Sequence, residues 1–321
     1  DLSIEQLKLI KKKLQKNAVV GVCPDETGIA VARVRRQKDN PPTLEVCVAK
    51  DTQNLSLQGA ELSRLTKAHD LDRQVCVTTL NLGDYNLLMV EAPEVPDEEL
   101  QAAIRWRIKD LIDFDINDAV VDVFEIPNQK APGKGKLNAV IGRAGEVRSR
   151  IELLGDAGLA IKVVDIPEMA MRNIAALLPE DVAGTALLYL GRRNGLITIT
   201  RQQTLYLSRR IDIGYESFQA EVESGDTDRI NKRLDHIVVE IQRSMDYYES
   251  HFSQPAVANV VIAPLSTPIP GMENYIQTQI GVNCRQMDIN AIIDTGEALD
   301  LHTQGRCFLA IGAALRDTEV A

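Results

Sequence analysis

Apolar positions in this chain alternate in short runs and then recur at helical spacing, and the switch happens twice. The first set of runs reads Ala18-Val-Val-Gly-Val22, Ile29-Ala-Val-Ala-Arg-Val34 and Leu44-Glu-Val-Cys-Val-Ala49, with a reversal from Pro24 to Gly28. The second reads Thr185-Ala-Leu-Leu-Tyr-Leu190, Leu196-Ile-Thr-Ile-Thr200 and Thr204-Leu-Tyr-Leu-Ser-Arg209, with a reversal from Gly191 to Gly195. Apolar and β-branched runs bounded by Gly, Pro, Asn and Asp predict hairpins. Two such meanders followed by helices predict a duplicated α/β unit with a cleft between its halves.

Between the meanders the pattern changes. A strand at Val75 leads to Tyr85-Asn-Leu-Leu-Met-Val-Glu91, and a helix then starts at Asp97 with Leu100, Ile104, Ile108 and Leu111 at helical spacing. Strands at 119–126 and 137–143, a helix at 146–157 and the run Gly158-Leu-Ala-Ile-Lys-Val-Val-Asp165 follow. The expected organisation is a basic segment at 1–17 and a first half at 18–84, completed by 166–182 and 305–321. A small inserted α+β domain is expected at 85–165 and a second half at 183–304.

Composition narrows the functions open to such a chain. Its 321 residues suit about two domains, and 45% hydrophobic content supplies a core. A net charge of −10 argues against general nucleic-acid binding, which needs a basic surface to displace counterions. No apolar run reaches bilayer length, and no apolar secretory core follows the N-terminal lysines. Cys23, Cys47, Cys76, Cys284 and Cys307 are odd in number and include no Cys-x-x-Cys pair, which suits a reducing cytoplasm. His69, His236, His251 and His302 sit on separate elements, so no metal site is expected. Gly133-Lys-Gly-Lys136 breaks the spacing of a phosphate loop and reads as a hairpin tip.

The duplicated arrangement resembles the actin-like ATPase (ribonuclease H-like) fold, in which a hairpin from each half grips the phosphates of ATP. The resemblance implies Asp-x-Gly motifs in both hairpins, with glycine letting backbone N–H groups approach phosphate and the acids organising Mg²⁺. Here the hairpins read Cys23-Pro-Asp-Glu-Thr-Gly28 and Tyr189-Leu-Gly-Arg-Arg-Asn194, so Cys23 and Tyr189 stand at the acid positions. Where a glycine pair would receive the adenosine, the chain has Ala263-Pro-Leu-Ser266, with Cβ atoms and the fixed φ of Pro264 in the way. The surviving candidates for a degenerate nucleotide cleft are Asp25, Thr27, Gly191, Arg192, Glu240, Arg243 and Ser244. Arg192 and Arg193 either offer guanidinium groups to a phosphate or are solvated turn residues. Glu240, Arg243 and Ser244 match a helix that faces the nucleoside in this fold. Asp165 and Glu168 fall near the catalytic acids of true ATPases, but with Pro167 they read as the start of a helix, so capping is expected and catalysis is not.

A second resemblance covers nearly the whole chain. It is carried by Asp110-Leu-Ile-Asp-Phe-Asp-Ile-Asn-Asp-Ala-Val-Val-Asp-Val-Phe124, Gly158–Asp165 and the helix Met169–Leu178. Glu240-Ile-Gln-Arg-Ser-Met-Asp-Tyr-Tyr248, Val260-Val-Ile-Ala-Pro264 with Ile269-Pro-Gly271, and the closing Phe308–Leu315 continue it. These segments resemble the PilM family, the actin-like cytoplasmic proteins of type IV pilus assembly, in a divergent branch of the kind serving the mannose-sensitive haemagglutinin (MSHA) pilus. The cytoplasmic domain of GspL-type secretion proteins is also similar and would lead into a membrane span, so it is the alternative.

The PilM resemblance implies a scaffold, not an enzyme, that binds the cytoplasmic tail of a bitopic PilN-like inner-membrane protein in a groove between the first half and the insert. Trp106, Phe114 and Phe124 are the candidate contacts. It also implies contact with other pilus assembly proteins, motor ATPases included, and a cytoplasmic location at the inner membrane. No cofactor is expected, with ATP binding as the alternative, and a homodimer or filament is left open. In the N-terminal segment Leu7, Ile10 and Leu14 form a stripe among Lys8, Lys11, Lys12 and Lys13, which suits either an anionic membrane surface or loose packing on the body.

Overall fold

The computed structural model describes residues 18–37, 40–52, 54–126 and 135–318. The lysine-rich segment holding Lys8, Lys11, Lys12 and Lys13, and the tip around Gly133, lie outside the described residues.

Each half begins with the meander that its alternation predicts. In the first, β1 (Ala18–Asp25), β2 (Gly28–Gln37) and β3 (Asn40–Asp51) pair antiparallel, and β4 (Val75–Thr79) and β8 (Ala160–Asp165) add in parallel to give the order β3-β2-β1-β4-β8. In the second, β9 (Thr185–Leu190), β10 (Gly195–Arg201) and β11 (Thr204–Ile211) are joined by β12 (Asn259–Ile262) and β13 (Asn283–Gln286) in the order β11-β10-β9-β12-β13. The two orders correspond strand for strand. Asp25 pairs with Gly28 and Leu190 with Gly195, so Glu26 and Thr27 form one hairpin tip and residues 191–194 the other.

Helices cover the sheets as their apolar spacing requires. α1 (Gln58–Ala68) and α3 (Ala144–Asp156) bury Leu62, Leu65 and Leu154 against Val20, Val22, Ile29 and Val31. α5 (Gln219–Ser224), α6 (Thr227–His251) and α7 (Met272–Ile280) cover the second sheet; α6 buries Ile230, Leu234, Ile237, Ile241, Met245 and Tyr248 along one stripe. Asp226 caps α6, its side chain accepting from Arg229 N at 3.1 Å.

α4 (Pro167–Ala175) and α8 (Leu301–Ala314) lie between the halves. Met171, Ile174, Phe308 and Ile311 share one core with Val19, Val77, Leu187, Leu196 and Val261, so both sheets close on the same apolar layer. The helices cross at Gly312, where an added Cβ would fall 2.4 Å from the Ala170 carbonyl oxygen. The structure therefore requires glycine there.

The insert is shorter than the expected 85–165. Its own sheet, β5-β7-β6 from β5 (Tyr85–Glu91), β6 (Ala119–Glu125) and β7 (Lys136–Arg143), ends at Arg143 with α2 (Asp97–Ile108) packed through Ile104 and Ile108. α3 packs on the first sheet through Leu154 as well as on the insert through Val147, and β8 pairs with β4 from Val75↔Ala160 to Thr79↔Asp165. Periodicity finds this helix and strand but does not say which sheet they join. None of the described helices is long and apolar enough to cross a membrane.

Candidate functional site

The two hairpin tips face a common cleft, a cavity of about 340 Å³ lined among others by Cys23, Asp25, Thr79, Tyr189, Gly191 and Arg192. Its anion-binding groups are already engaged by the chain. Asp25 Oδ1 accepts from Thr27 N at 2.7 Å, Thr27 Oγ1 at 2.5 Å and Gly28 N at 3.0 Å. Two of these three donors are backbone amides of the hairpin, the kind of group that binds phosphate in such loops.

The cations at the cleft are matched in the same way. Arg193 Nη1 lies 3.5 Å and Arg192 Nη1 3.9 Å from the Glu26 carboxylate of the opposite hairpin. Glu216 takes Arg192 at 2.7 Å and Arg193 at 3.5 Å. Arg306, reaching in from α8, pairs with Asp51 at 2.9 Å, faces Asp25 at 3.9 Å and donates to Thr27 Oγ1. Each of these three arginines thus has a carboxylate of the protein within 4 Å.

At the first acid position Cys23 Sγ lies 3.1 Å from Thr79 Oγ1, and burial pushes the thiol up to about 11, so it is neutral at physiological pH. At the second, Tyr189 stacks on Phe308 with ring centres 5.6 Å apart, and burial raises its phenol above the ordinary range. Neither supplies a charge for Mg²⁺. Beneath the first hairpin Arg150, only 8% exposed, donates Nη1 to Pro24 O at 3.0 Å and Thr79 O at 2.9 Å and lies 3.8 Å from Asp84. Arg150 was not among the residues singled out in the sequence. The available signal was its spacing: four residues before Leu154, it falls on the buried face of α3.

The seven cleft candidates do not form one cluster. Asp25, Gly191 and Arg192 line the cavity, and Thr27 joins them through Asp25 and Arg306. Glu240 and Arg243 line a separate depression with Arg210, Asp212 and His236, and their carboxylate and guanidinium meet at 2.7 Å. Ser244 is buried, accepting from Arg209 Nε at 2.9 Å and donating to Glu240 O at 2.7 Å. Glu240 and Ser244 tie α6 to β11 through Arg209, while Arg243 pairs with Glu240 on the same helix. The loop at Ala263 and Leu265 is buried too, and an added Cβ on Gly305 of α8 would fall 2.4 Å from Ser266 N.

A second concavity lies where the three sheets meet. β6, β8 and β11 are each the last strand of their sheet, and residues 122–125, 164–166 and 203–205 from these edges line one groove of about 380 Å³. On β6 the Val123 amide donates to the Asp122 carboxylate at 2.9 Å. A carboxylate over an edge amide keeps such an edge from pairing indiscriminately.

The acids at the start of α4 pin this junction together. Asp165 does not cap the helix as expected; α4 has Ile166 at its N-cap without a side-chain bond, and Asp165 meets Arg316 at 2.5 Å. Glu168 is buried and accepts from Tyr85 Oη of the insert at 2.5 Å and Ser208 Oγ of the second sheet at 3.2 Å. One side chain thus joins all three units.

Of the three aromatic candidates only Phe124 lines the groove. Phe114 packs against the insert core beneath the Arg143 guanidinium, 4.2 Å from its ring centre. Trp106 is 71% exposed, with Lys109 Nζ 4.4 Å above its ring.

Two matching sheets, each presenting a hairpin to a shared cleft, define an actin-like ATPase fold. The chain belongs to the PilM family: the profile described as type IV pilus assembly protein PilM matches residues 52–224. Among solved structures, a PilM–PilN type IV pilus biogenesis complex is similar at 19% identity, covering 92% of this chain and 97% of that one, with a TM-score of 0.74. A Bacteroides thetaiotaomicron protein with an actin-like ATPase fold and unknown function matches at 10% identity over 88% and 94% of the two chains, with a TM-score of 0.50. The cytoplasmic domain of EpsL, an inner-membrane component of the Vibrio cholerae type II secretion system, matches at 12% identity over 92% and 94%, with a TM-score of 0.49. No curated protein sequence matches the chain significantly.

Proposed function

We propose that this chain is a non-catalytic adaptor of a type IV pilus machine, cytoplasmic and peripheral at the inner membrane, that holds the cytoplasmic tail of a bitopic PilN-like protein. The observation that carries the reading is the meeting in one groove of three sheet edges that, among the described residues, no further strand pairs with. An extended tail gains main-chain hydrogen bonds by strand addition at such an edge, and alternate side chains enter pockets such as that beside Phe124 and Met169. The fold shared with the PilM of a PilM–PilN complex supports this kind of partner.

The self-filled cleft supports a structural role. Nucleotide would have to displace Asp25 from three donors and Glu26 from two arginines, with no acid at Cys23 or Tyr189 to hold Mg²⁺. Within the family, the weak phosphate hairpins favour a relative of MshI, the MSHA pilus biogenesis protein. The N-terminal lysines would face the anionic inner leaflet, and the rest of the surface would be available to other assembly proteins and motor ATPases.

Calorimetric titration tests the reading, first with a synthetic N-terminal tail of the neighbouring bitopic pilus protein and then with ATP, with and without Mg²⁺. Heat from the tail and none from ATP is expected. Micromolar Mg²⁺-dependent ATP binding together with a silent tail would replace the adaptor by a working ATPase.

A further inference from the structure

The groove does not end at the three edges. A second depression of about 360 Å³ shares Arg172 and Gln203 with it and continues past Arg36, Asn40 and Leu315. Three guanidinium groups stand at the junction. Arg316 is engaged by Asp165 at 2.5 Å, and Arg36 donates to Leu315 O with Asp317 nearby.

Arg172 is placed differently. Among the described residues its hydrogen bond is to the amide of its own neighbour, 2.8 Å to Asn173 Oδ1, and no carboxylate comes within ion-pair distance. Burial disfavours its charge; Asp165 offsets this in part, while Arg316 and Arg36 act against it. The opposite wall of the groove is acidic, with Asp122 and Glu125 on β6. Along its length the groove therefore runs from negative at β6 to positive at α4. A partly desolvated guanidinium lacking its own carboxylate is where an incoming carboxylate gains most, because the fork accepts both oxygens.

Taking the groove as the tail site proposed above, we infer that the bound tail carries an acidic side chain where it passes α4, and that Arg172 receives that carboxylate through a two-pronged ion pair. The sign of the charge favours a partner over the chain's own N-terminal segment, in which Lys8, Lys11, Lys12, Lys13 and Lys16 outnumber Asp1 and Glu5. It also sets the partner class: an extended peptide with an acid flanking its strand-forming residues.

The test titrates the full chain with the synthetic tail peptide and with versions in which each Asp or Glu is changed to Asn or Gln. Arg172→Gln is expected to weaken binding about tenfold or more, as is neutralising one particular acid, and the two changes together should weaken it no further. Arg172→Lys should fall between, and Arg172→Glu should recover affinity for a peptide with Lys in place of that acid. Unchanged affinity in Arg172→Gln, or losses that simply multiply, would overturn the inference. Val123→Pro separates the two levels, since it removes the edge amide that a bound strand would take over from Asp122, and proline is tolerated on an edge strand. Tail binding lost in Val123→Pro but intact in Arg172→Gln removes only the acid contact. A wild-type protein that binds no tail removes both readings.

Discussion

Glu26, at the tip of one hairpin, stands 3.5 Å from Arg193 at the tip of the other, so the two loops that would grip a phosphate grip each other. Both side chains are well exposed, and a pair of this kind contributes less than about 1 kcal/mol. Glu26→Ala is therefore expected to lower stability by less than about 1 kcal/mol in urea denaturation. Because Asp25 still occupies the Thr27 and Gly28 amides, the variant should bind no ATP. Mg²⁺-dependent ATP binding by Glu26→Ala would mean that the ion pair alone had kept the cleft closed to nucleotide.

Arg150 presents the opposite case, a buried cation with structural partners. Two carbonyl oxygens, Pro24 O and Thr79 O, accept from its Nη1. Arg150→Met keeps much of the volume but leaves both acceptors buried without a donor, and each such loss costs about 1–3 kcal/mol. A total loss of roughly 3 kcal/mol in chemical denaturation is expected. A change under about 1 kcal/mol would indicate that water replaces the guanidinium and that the cleft floor is wetter than its packing suggests.

Much of the architecture was readable in the pattern, and the failures have a common cause. The meanders, the helix stripe of α2 at Leu100, Ile104 and Ile108, and the hairpins at Cys23 and Tyr189 depend on neighbours in sequence, and periodicity or motif spacing reports those. The assignment of α3 and β8 to the first sheet depends on Leu154 meeting Leu62 and Leu65 and on Val75 pairing with Ala160, contacts distant in sequence. Arg150 and Glu168 were obscured for a related reason: a charged residue in a helix reads as solvated or capping until its buried partners are known. Trp106 and Phe114 show the limit for aromatics, since one faces solvent and the other the insert core, and the charges beside each, Arg105 and Arg107 or Asp113 and Asp115, do not tell which.

Glu168 makes a pH prediction with a definite sign. Burial raises its pKa above the ordinary 4.5, only partly offset by the hydroxyls of Tyr85 and Ser208. An acid whose folded pKa exceeds its unfolded one is bound to its proton more tightly in the native state. Its contribution to stability is thus fully present below about pH 4.5 and is lost as pH rises through the folded value. Glu168→Gln, which can still bond both hydroxyls, should gain stability relative to the wild type as pH rises from 4.5 toward 8. Denaturation midpoints of the two proteins across that range check this, and a constant difference would place the titration elsewhere.

The crossing of α4 and α8 decides whether the halves move as separate bodies. At Gly312 the helices approach so closely that an alanine Cβ would meet Ala170 O at 2.4 Å, and Asn173 Nδ2 donates to Gly312 O at 2.9 Å on the same side. The surrounding core takes residues from both sheets, so separating the halves exposes Met171, Ile174, Phe308 and Ile311 together. Opening the cleft as a hinge would cost apolar burial at about 25 cal/mol per Å² exposed. Thermal unfolding followed by calorimetry should therefore show the two halves melting in one cooperative transition. Gly312→Ala should lower its midpoint and cost about 2 kcal/mol or more while keeping it single, because the strain falls on the element that both halves share. Two resolved transitions, or an alanine variant that shifts only one of them, would mean that the shared core does not couple the halves and that a hinge-driven cycle is open to this fold after all.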